Sequence, residues 1–208
     1  MLIGLTGGYC AGKNEAARLL EARGWSCIDV DKLGHLAVDA AKDAIVARFG
    51  PGILGPEGRI DRRALAARIF ADPRALADQE AIVHPAAIAL LEERIDAAEA
   101  EARAAGREAL VCVNAALLHR ADLVAGCAAV VEVRACLALR FLRGLRRDGA
   151  GAGAVALRLW RQRGFRRELR AAAARAGRPI LALRNSGGLG VLERRLEALL
   201  GRLPRPGA

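Results

Sequence analysis

Residues 5–15 read LTGGYCAGKNE. A phosphate-binding loop follows the pattern G-x-x-x-x-G-K-[ST], in which successive backbone N–H groups converge on a phosphate and the lysine supplies a positive charge. Gly7, Gly12 and Lys13 match this pattern, whereas Asn14 stands where Ser or Thr is expected. The stretch therefore predicts a nucleotide-binding loop with an altered metal position; the alternative is a glycine-rich turn with an incidental lysine.

The segments on either side of this loop predict a strand before it and a helix after it. Residues 1–6 are an apolar run of strand length, and residues 13–24 place apolar side chains at helical spacing before a terminal glycine. The next stretch, WSCIDVD at 25–31, predicts a second strand. It would bring Asp29 and Asp31 to its carboxyl end or just beyond it.

The rest of the chain predicts a parallel sheet with a helical insertion. Residues 34–105 show helical spacing, with expected loops at 49–59 and 70–73 and an expected break at His84–Pro85. Three later apolar runs have strand length: 109–114, 128–133 and 179–183. Buried strands separated by helices are typical of a parallel α/β sheet. At 208 residues we expect one cooperative body.

Composition restricts the classes of partner. No apolar stretch reaches the length of a membrane span, the apolar opening is too short for a signal peptide, and the five cysteines lack C-x-x-C spacing. We expect a cytoplasmic protein with free thiols and no membrane partner. The net charge of +10 would suit nucleic acid, but aromatic residues make up only 3%, too few for stacking on bases. A small, multiply phosphorylated substrate explains the charge more simply, and we expect a monomer.

Arginines cluster in residues 137–178, around a glycine-rich run at 149–154. A flexible run followed by a basic helix resembles a lid that closes over phosphates. The alternative is a solvated helix face in an arginine-rich protein.

Several blocks together resemble the dephospho-coenzyme A kinase family over nearly the whole chain. IGLTGG with AGK is similar to the family's opening loop, and CIDVDKLGH is similar to its I-D-x-D block. The long segment from Phe49 to Pro85 resembles the family's stretch from F-G to His-Pro, and NSGGLGVLERRLEAL resembles its closing segment. The long segment is the specific part, since the loop alone indicates only a nucleotide binder.

This resemblance implies transfer of the γ-phosphoryl group of ATP to the ribose 3′-hydroxyl of dephospho-coenzyme A, with Mg²⁺, as the last step of coenzyme A synthesis. It also implies an α/β P-loop kinase fold with a five-stranded parallel sheet flanked by helices. The single domain would comprise a core, a helical coenzyme-binding insertion and an arginine-rich lid. Their expected bounds are about 1–33, 106–140 and 179–202 for the core, 34–105 for the insertion and 141–178 for the lid.

The resemblance also assigns roles to individual residues. Lys13 and Asp31 are the expected catalytic residues, with Asp31 as the base; its alternative role is a helix N-cap. ATP binding falls on the loop and two later residues: Gly8, Tyr9, Cys10, Ala11, Gly12, Lys13, Asn14, Glu15, Arg140 and Asn185. The expected substrate-binding residues are Thr6, Asp31, His84 and Arg158.

Two residues are expected to serve the metal. Magnesium prefers oxygen ligands, and the carboxamide oxygen of Asn14 could replace the usual hydroxyl. Asp29 either binds magnesium through water or orients the loop. His84 at a helix boundary could instead be structural, and Trp160 either covers the adenine or packs.

The sequence departs from the family after the third strand. Ala116, His119 and Arg120 stand where the family commonly has proline, an apolar residue and glutamate, and Asn114 stands where many phosphate-loop proteins have a carboxylate. Two rival functions therefore stay open. One is a catalytically impaired nucleotide-binding protein of the same fold, and the other is a P-loop kinase for another small hydroxyl substrate.

Overall fold

The computed structural model describes residues 1–119, 123–149 and 151–204. These residues form one five-stranded parallel sheet in the order β2-β3-β1-β4-β5, which confirms the predicted fold class. The strands are β1 (Leu2–Gly7), β2 (Ser26–Asp29), β3 (Val111–Asn114), β4 (Ala129–Arg134) and β5 (Ile180–Arg184). The first helices are α1 (Lys13–Glu21), α2 (Val30–Ala40), α3 (Lys42–Phe49), α4 (Arg62–Ala71) and α5 (Pro73–Ala104). The later helices are α6 (Leu123–Gly126), α7 (Leu137–Asp148), α8 (Ala152–Arg161), α9 (Phe165–Arg175) and α10 (Leu189–Leu200).

The chain divides into two compact units. The first, here called the sheet unit, comprises Met1–Ile28 and the chain from Ala98 onward, and the second, the helical unit, is Asp29–Ala97. The expectation of one domain with a core, an insertion and a lid stays a prediction. Among the described residues, no helix has both the length and the apolar character that spanning a membrane requires. All five cysteines are free thiols, as expected.

Strand β1 lies at the centre of the sheet and is buried from both sides. Ile3 and Leu5 point into one core, which they share with Leu20 of α1 and Leu196 of α10. Gly4 faces the opposite side, where a Cβ atom would lie only 2.5 Å from a methyl group of Leu118. Alternate side chains of a strand point to opposite faces, so helices cover both faces of the sheet, as in other parallel α/β proteins.

The parallel register brings functional segments to one edge of the sheet. Leu5 of β1 pairs with Asn114, the last residue of β3, and Thr6 pairs with Glu132 of β4. Arg134 at the end of β4 pairs with Arg184 at the end of β5. The segments that follow these strands therefore leave the sheet at its carboxyl edge, which is where ligands bind in open α/β sheets.

The helical unit has a core of its own. Ile45 and Phe49 of α3 pack with Ile53 of a short 3₁₀ turn and with Leu65 and Ile69 of α4. This small cluster gives residues 29–97 a compact structure without a sheet.

Strand β2 is shorter than the predicted 25–31, because helix α2 begins at Val30. The Asp29 side chain caps this helix, accepting hydrogen bonds from the backbone N–H groups of Asp31 at 3.1 Å and Lys32 at 3.4 Å. Asp31 itself lies in the first turn of α2. The N-cap alternative considered for Asp31 is therefore wrong, since Asp29 holds that position.

The arginine-rich segment forms three helices, α7 to α9. Helix α8 begins at Ala152, so the second half of the glycine-rich run at 149–154 is helical; residue 150 lies outside the described residues. Helix α9 buries Phe165, Leu169 and Ala173, which does not fit a fully solvated helix. Closure of this segment over a ligand stays a prediction.

The expected break at His84–Pro85 is wrong, because α5 continues through both residues to Ala104. Proline removes the hydrogen bond that residue 85 would donate to the carbonyl of residue 81, yet it does not end the helix. The 32-residue length of α5 supplies enough bonds on both sides to tolerate this loss.

We expect Pro85→Ala to raise the free energy of unfolding by roughly 1–3 kcal/mol, because alanine restores the missing bond and removes the ring clash. Urea unfolding followed by far-ultraviolet circular dichroism would measure it. Pro73→Ala is the matched control, since Pro73 is the first residue of α5 and its missing N–H costs nothing there. An equal gain in both variants would contradict the explanation.

Candidate active site

The loop between β1 and α1 has the geometry of a phosphate-binding turn. Its Ala11 N–H donates to the Gly8 carbonyl at 2.9 Å, and Gly12 adopts a left-handed conformation with φ of 96° at the start of the helix. The first bond of α1 runs from Ala16 N–H to the Gly12 carbonyl at 3.1 Å. The preceding N–H groups of the first turn therefore face out of the helix N-terminus, where the backbone favours an anion.

Two glycines of the loop are required by close contacts. A Cβ atom on Gly12 would lie 2.0 Å from Asn185 Nδ2, and one on Gly8 would lie 2.5 Å from Arg140 Nη2. Cys10, between them, adopts a positive φ of 56° without being glycine. Such a conformation is sparsely populated for ordinary residues, so the surrounding structure must support the tip of the loop.

Asn185, which follows β5, supports the carboxyl end of the loop. Its Nδ2 donates to the Ala11 carbonyl at 2.9 Å, and its Oδ1 accepts a longer bond of 3.5 Å from Arg143 Nη2. The asparagine is buried, and the other terminal nitrogen of Arg143 is also buried and has no hydrogen-bond partner among the described residues. Asn185 therefore connects a guanidinium group to the loop.

Arg140 of α7 supports the tip of the loop. Its Nε donates to the Tyr9 carbonyl at 2.7 Å and its Nη2 donates to Gln162 Oε1 at 3.2 Å. The same Gln162 oxygen accepts from the Tyr9 N–H at 2.6 Å. Burial lowers the pKa of Arg140, and the nearby positive charge of Arg166 lowers it further. The guanidinium keeps its positive charge, because arginine side chains are not deprotonated in proteins.

Further arginines surround the Tyr9 side chain. The guanidinium groups of Arg147 and Arg158 lie 5.0 Å and 5.6 Å from the centre of its ring, within the range of cation–π attraction. Arg158 Nη1 also donates to the Tyr9 hydroxyl at 3.4 Å. The structure therefore brings Arg140 and Arg158, both predicted from the sequence, to the predicted loop.

A cavity of about 1230 Å³ opens beside the loop, between the ends of β4 and β5 and helices α7 to α9. Its walls include Gly8 and Ala11 of the loop and apolar side chains such as Leu137 and Phe165. Trp160 also lines it and is 57% exposed, which argues against a packing role for this residue. The combination of loop amides and an apolar wall suits a ligand with phosphates and an aromatic base.

Glu132 of β4 is a buried carboxylate at the base of this cavity, only 3% exposed. It accepts from Arg134 Nε at 2.7 Å and from Arg166 Nε at 2.8 Å. Two guanidinium groups thus neutralise the one buried carboxylate. A buried charge is tolerated only when it is paired in this way.

Magnesium ligands of the carboxylate type are not clustered here. Within residues 1–119, 123–149 and 151–204 there is no group of three His, Cys, Asp or Glu side chains that could hold a metal. Two amide oxygens are available: Asn14 is exposed in the first turn of α1, and the buried Oδ1 of Asn114 has no hydrogen-bond partner among the described residues. An amide oxygen without a partner fits a hard cation, which can take its remaining ligands from water and phosphate.

The region that departs from the family makes different contacts. Thr6 is fully buried and its hydroxyl donates to the Ala116 carbonyl at 3.4 Å. His119 Nε2 pairs with Glu168 Oε2 of α9 at 3.1 Å, and its ring packs edge-on against Phe165. Arg120 lies outside the described residues. A polar histidine is thus accommodated at an apolar position of the family by one carboxylate and one aromatic ring.

Three predicted residues belong to the helical unit. Asp29 caps α2, Asp31 is exposed in the first turn of that helix, and His84 is exposed on α5. Their expected roles toward substrate and metal stay predictions.

Sequence reasoning missed Gln162, Arg143 and Glu132. Glu132 lies within the apolar run at 128–133 and matches no motif, and Arg143 is one of many arginines without an assigned role. No sequence pattern indicates a role for Gln162, because glutamine is common at the end of a basic helix. Their importance depends on long-range contacts.

Comparisons with known proteins point to one family. The family model for dephospho-CoA kinase (CoaE) matches residues 1–178. A Geobacter sulfurreducens protein named dephospho-CoA kinase is 38% identical over 201 residues, covering 95% of this chain and 96% of that protein. The crystal structure of TT1252 from Thermus thermophilus superposes with a TM-score of 0.74 at 31% identity, covering 99% of this chain and 98% of that one. Dephospho-CoA kinase from Campylobacter jejuni, at 20% identity, 97% and 96% coverage and a TM-score of 0.62, shares the fold.

We expect Gly12→Ala to lower nucleotide affinity by at least about tenfold, because its Cβ would collide with Asn185 and displace the loop. Isothermal titration with ATP would measure this change. Gly24→Ala is the matched control: Gly24 also has a positive φ, of 81°, but a Cβ there meets nothing within 4 Å. Equal losses in the two variants would show that general destabilisation by a strained residue, and not displacement of the loop, is responsible.

Proposed function

This chain belongs to the dephospho-CoA kinase family, and we propose that it transfers the γ-phosphoryl group of ATP to the ribose 3′-hydroxyl of dephospho-coenzyme A. The observation that supports this most directly is the loop itself, a left-handed turn at Gly12 that opens α1 and is held by Asn185 and Arg140. A loop of this kind binds the polyphosphate of a nucleotide, and membership of the family indicates that dephospho-coenzyme A is the phosphoryl acceptor.

Phosphoryl transfer depends mainly on positioning and on neutralising charge, since the reacting phosphoryl group spreads negative charge over its oxygens. In our proposal Lys13, the first residue of α1, reaches the terminal phosphates, while the loop from Gly8 to Glu15 holds the polyphosphate through its N–H groups. Arg140 and Arg158 lie against the same loop and add positive charge beside it. The cavity lined by Trp160 would accept the base.

We propose that magnesium accompanies ATP, with Asn14 and Asp29 as its protein-side partners. Asn14 and Asp29 would hold the ion, which would supply positive charge beside the phosphates. The Oδ1 of Asn114 at the end of β3 is buried and has no hydrogen-bond partner within the described part of the chain, so it is a further acceptor suited to a hard cation or to its water shell. Most ligands of such an ion come from phosphate and water, so a few amide and carboxylate oxygens suffice.

In our proposal Asp31 accepts the proton of the ribose 3′-hydroxyl as its oxygen attacks the γ-phosphorus. A carboxylate at the start of α2 stays ionised easily, because the helix N-terminus favours negative charge. His84 and Arg158 are the proposed contacts with dephospho-coenzyme A, whereas Thr6 is fully buried and donates to the Ala116 carbonyl, which leaves it inaccessible to a substrate. Two polyanionic substrates also explain the net charge of +10 without nucleic acid, and we propose a monomeric cytoplasmic enzyme.

The two rival functions are less well supported. A catalytically impaired protein would not need the supported loop, Lys13 and Asp31 together. A kinase for another small hydroxyl substrate shares the loop, but the family match extends over residues 1–178, beyond any nucleotide-binding motif.

The decisive assay is to incubate the purified protein with ATP, magnesium and dephospho-coenzyme A and to identify the products by mass spectrometry. We expect coenzyme A and ADP in equal amounts. Asp31→Asn should lower turnover by about 10²–10⁴-fold, since the amide keeps the shape and loses the basicity. ATP affinity should change only a few-fold.

Two results would contradict this assignment. If Asp31→Asn loses magnesium–ATP affinity in proportion to its activity, Asp31 serves the metal and not the proton. If a nucleoside monophosphate is phosphorylated and dephospho-coenzyme A is not, the acceptor is wrong.

Asn14 has its own test, because its amide oxygen is the proposed replacement for the usual hydroxyl. We expect Asn14→Ala to raise the magnesium concentration needed for half-maximal activity by at least several-fold, whereas Asn14→Ser should keep much of the wild-type dependence. Initial rates at fixed ATP and increasing magnesium would measure both. An unchanged dependence in Asn14→Ala would reduce Asn14 to a helix-start residue.

A further inference from the structure

Gln162 connects the turn between α8 and α9 to the tip of the phosphate-binding loop. Resting on the proposed function, we propose that Gln162 is a positioning residue for phosphoryl transfer, which holds Tyr9 and Arg140 in the arrangement that the reaction needs. It lies far along the chain from the loop, and no motif marked it.

Three hydrogen bonds form a closed ring among these residues. Gln162 Oε1 accepts from the Tyr9 N–H at 2.6 Å and from Arg140 Nη2 at 3.2 Å, while Arg140 Nε donates to the Tyr9 carbonyl at 2.7 Å. Both backbone polar groups of Tyr9 are thereby fixed from outside the loop. Removing the Gln162 oxygen would leave two donors without this acceptor in a part-buried site, which costs more than an ordinary hydrogen bond contributes.

The loop tip needs this external support. Cys10, the residue after Tyr9, holds a positive φ of 56°, and strained backbone persists only where neighbouring groups over-determine it. The guanidinium groups of Arg147 in α7 and Arg158 in α8 lie over the Tyr9 ring, so the Tyr9 side chain is also held by the helices that follow β4. Contacts with α7, with α8 and with the turn between α8 and α9 therefore help to fix the position of the loop tip, which does not depend on the loop alone.

A neutral acceptor also suits Arg140 better than a carboxylate would. Arg166 lies close enough to lower the pKa of Arg140, and Arg166 is itself paired with Glu132. The carboxamide oxygen orients the Arg140 guanidinium without cancelling its charge. The positive charge of Arg140 then remains available to an incoming phosphate, and positive charge placed there stabilises the transition state of phosphoryl transfer.

The backbone of Gln162 is well placed to transmit this position. Its N–H donates to Leu159 at the end of α8, and its carbonyl accepts from Phe165 N–H, the first residue of α9. Phe165 and Leu159 are both buried, so the turn is anchored on either side of Gln162. The α8–α9 turn and the loop should consequently move together.

Two variants separate the parts of this role. Gln162→Met keeps the length and volume and loses the acceptor, so turnover should fall by at least about tenfold while the Michaelis constant for dephospho-coenzyme A changes less than about threefold. Exchange of the Tyr9 amide hydrogen, followed by nuclear magnetic resonance, should accelerate.

Gln162→Glu keeps the acceptor but neutralises Arg140, so Tyr9 exchange should stay slow while turnover falls. Arg161→Ala, an exposed neighbour, is the control that should alter neither.

A double-mutant cycle shows whether Gln162 acts through Arg140. If it does, adding Gln162→Met to Arg140→Met should lower turnover by less than about twofold further. Additive losses, or wild-type turnover and Tyr9 exchange in a folded Gln162→Met, would overturn the positioning role while leaving the proposed function intact. If the wild-type protein makes no coenzyme A, both the proposed function and the positioning role are overturned. Exchange of the Tyr9 amide would then still show whether Gln162 accepts its hydrogen bond.

Discussion

The left-handed turn at Gly12 is the feature on which the rest of the site depends. Only this backbone conformation lets β1 reverse into α1 with the first amides of the helix facing outward, and only the lack of a side chain lets Asn185 Nδ2 reach the Ala11 carbonyl. The turn lies at the carboxyl edge of the central strand, where neighbours on both sides can reach it. An anion site made of backbone requires this rigidity, because its donors cannot reorient as side chains can.

Positive charge around the loop is arranged through neutral acceptors. Asn185, the Tyr9 carbonyl and Gln162 orient Arg143 and Arg140, so these guanidinium groups are directed without being neutralised. At the base of the cavity Arg134 and Arg166 instead share the buried Glu132. A neutral acceptor orients a guanidinium group and leaves its positive charge available to a ligand, whereas a carboxylate cancels much of that charge. This arrangement suits a site that binds polyanions.

Membership of the dephospho-CoA kinase family is compatible with the departures in this chain, and the structure gives some of them a physical account. His119, at a position that is apolar in the family, is satisfied by Glu168 and Phe165 of α9. Asn14 stands where the phosphate-loop pattern has Ser or Thr, and Asn114 stands where many phosphate-loop proteins, though not this family as a rule, have a carboxylate; the Asn114 oxygen is buried without a hydrogen-bond partner among the described residues. Amide oxygens can complete a magnesium shell that is mostly phosphate and water.

The sequence by itself determined the loop, the strands and the family, because these depend on short-range spacing: glycines at a tight turn, apolar runs of strand length and ordered blocks of motif. The resemblance to the family also assigned Arg140 and Asn185 to ATP and Arg158 to the substrate; all three contact the loop, and their roles stay predictions. The sequence was wrong about the break at Pro85, since a local signal cannot show that a long helix will tolerate the lost bond. The alternative in which Asp31 caps α2 is wrong, because β2 ends at Asp29, two residues before the predicted end, and Asp29 provides the cap. Only the tertiary structure decided the part played by Gln162 and Glu132, because Gln162 contacts Tyr9, 153 residues away along the chain, and Glu132 contacts Arg166, 34 residues away, and no local pattern encodes such contacts.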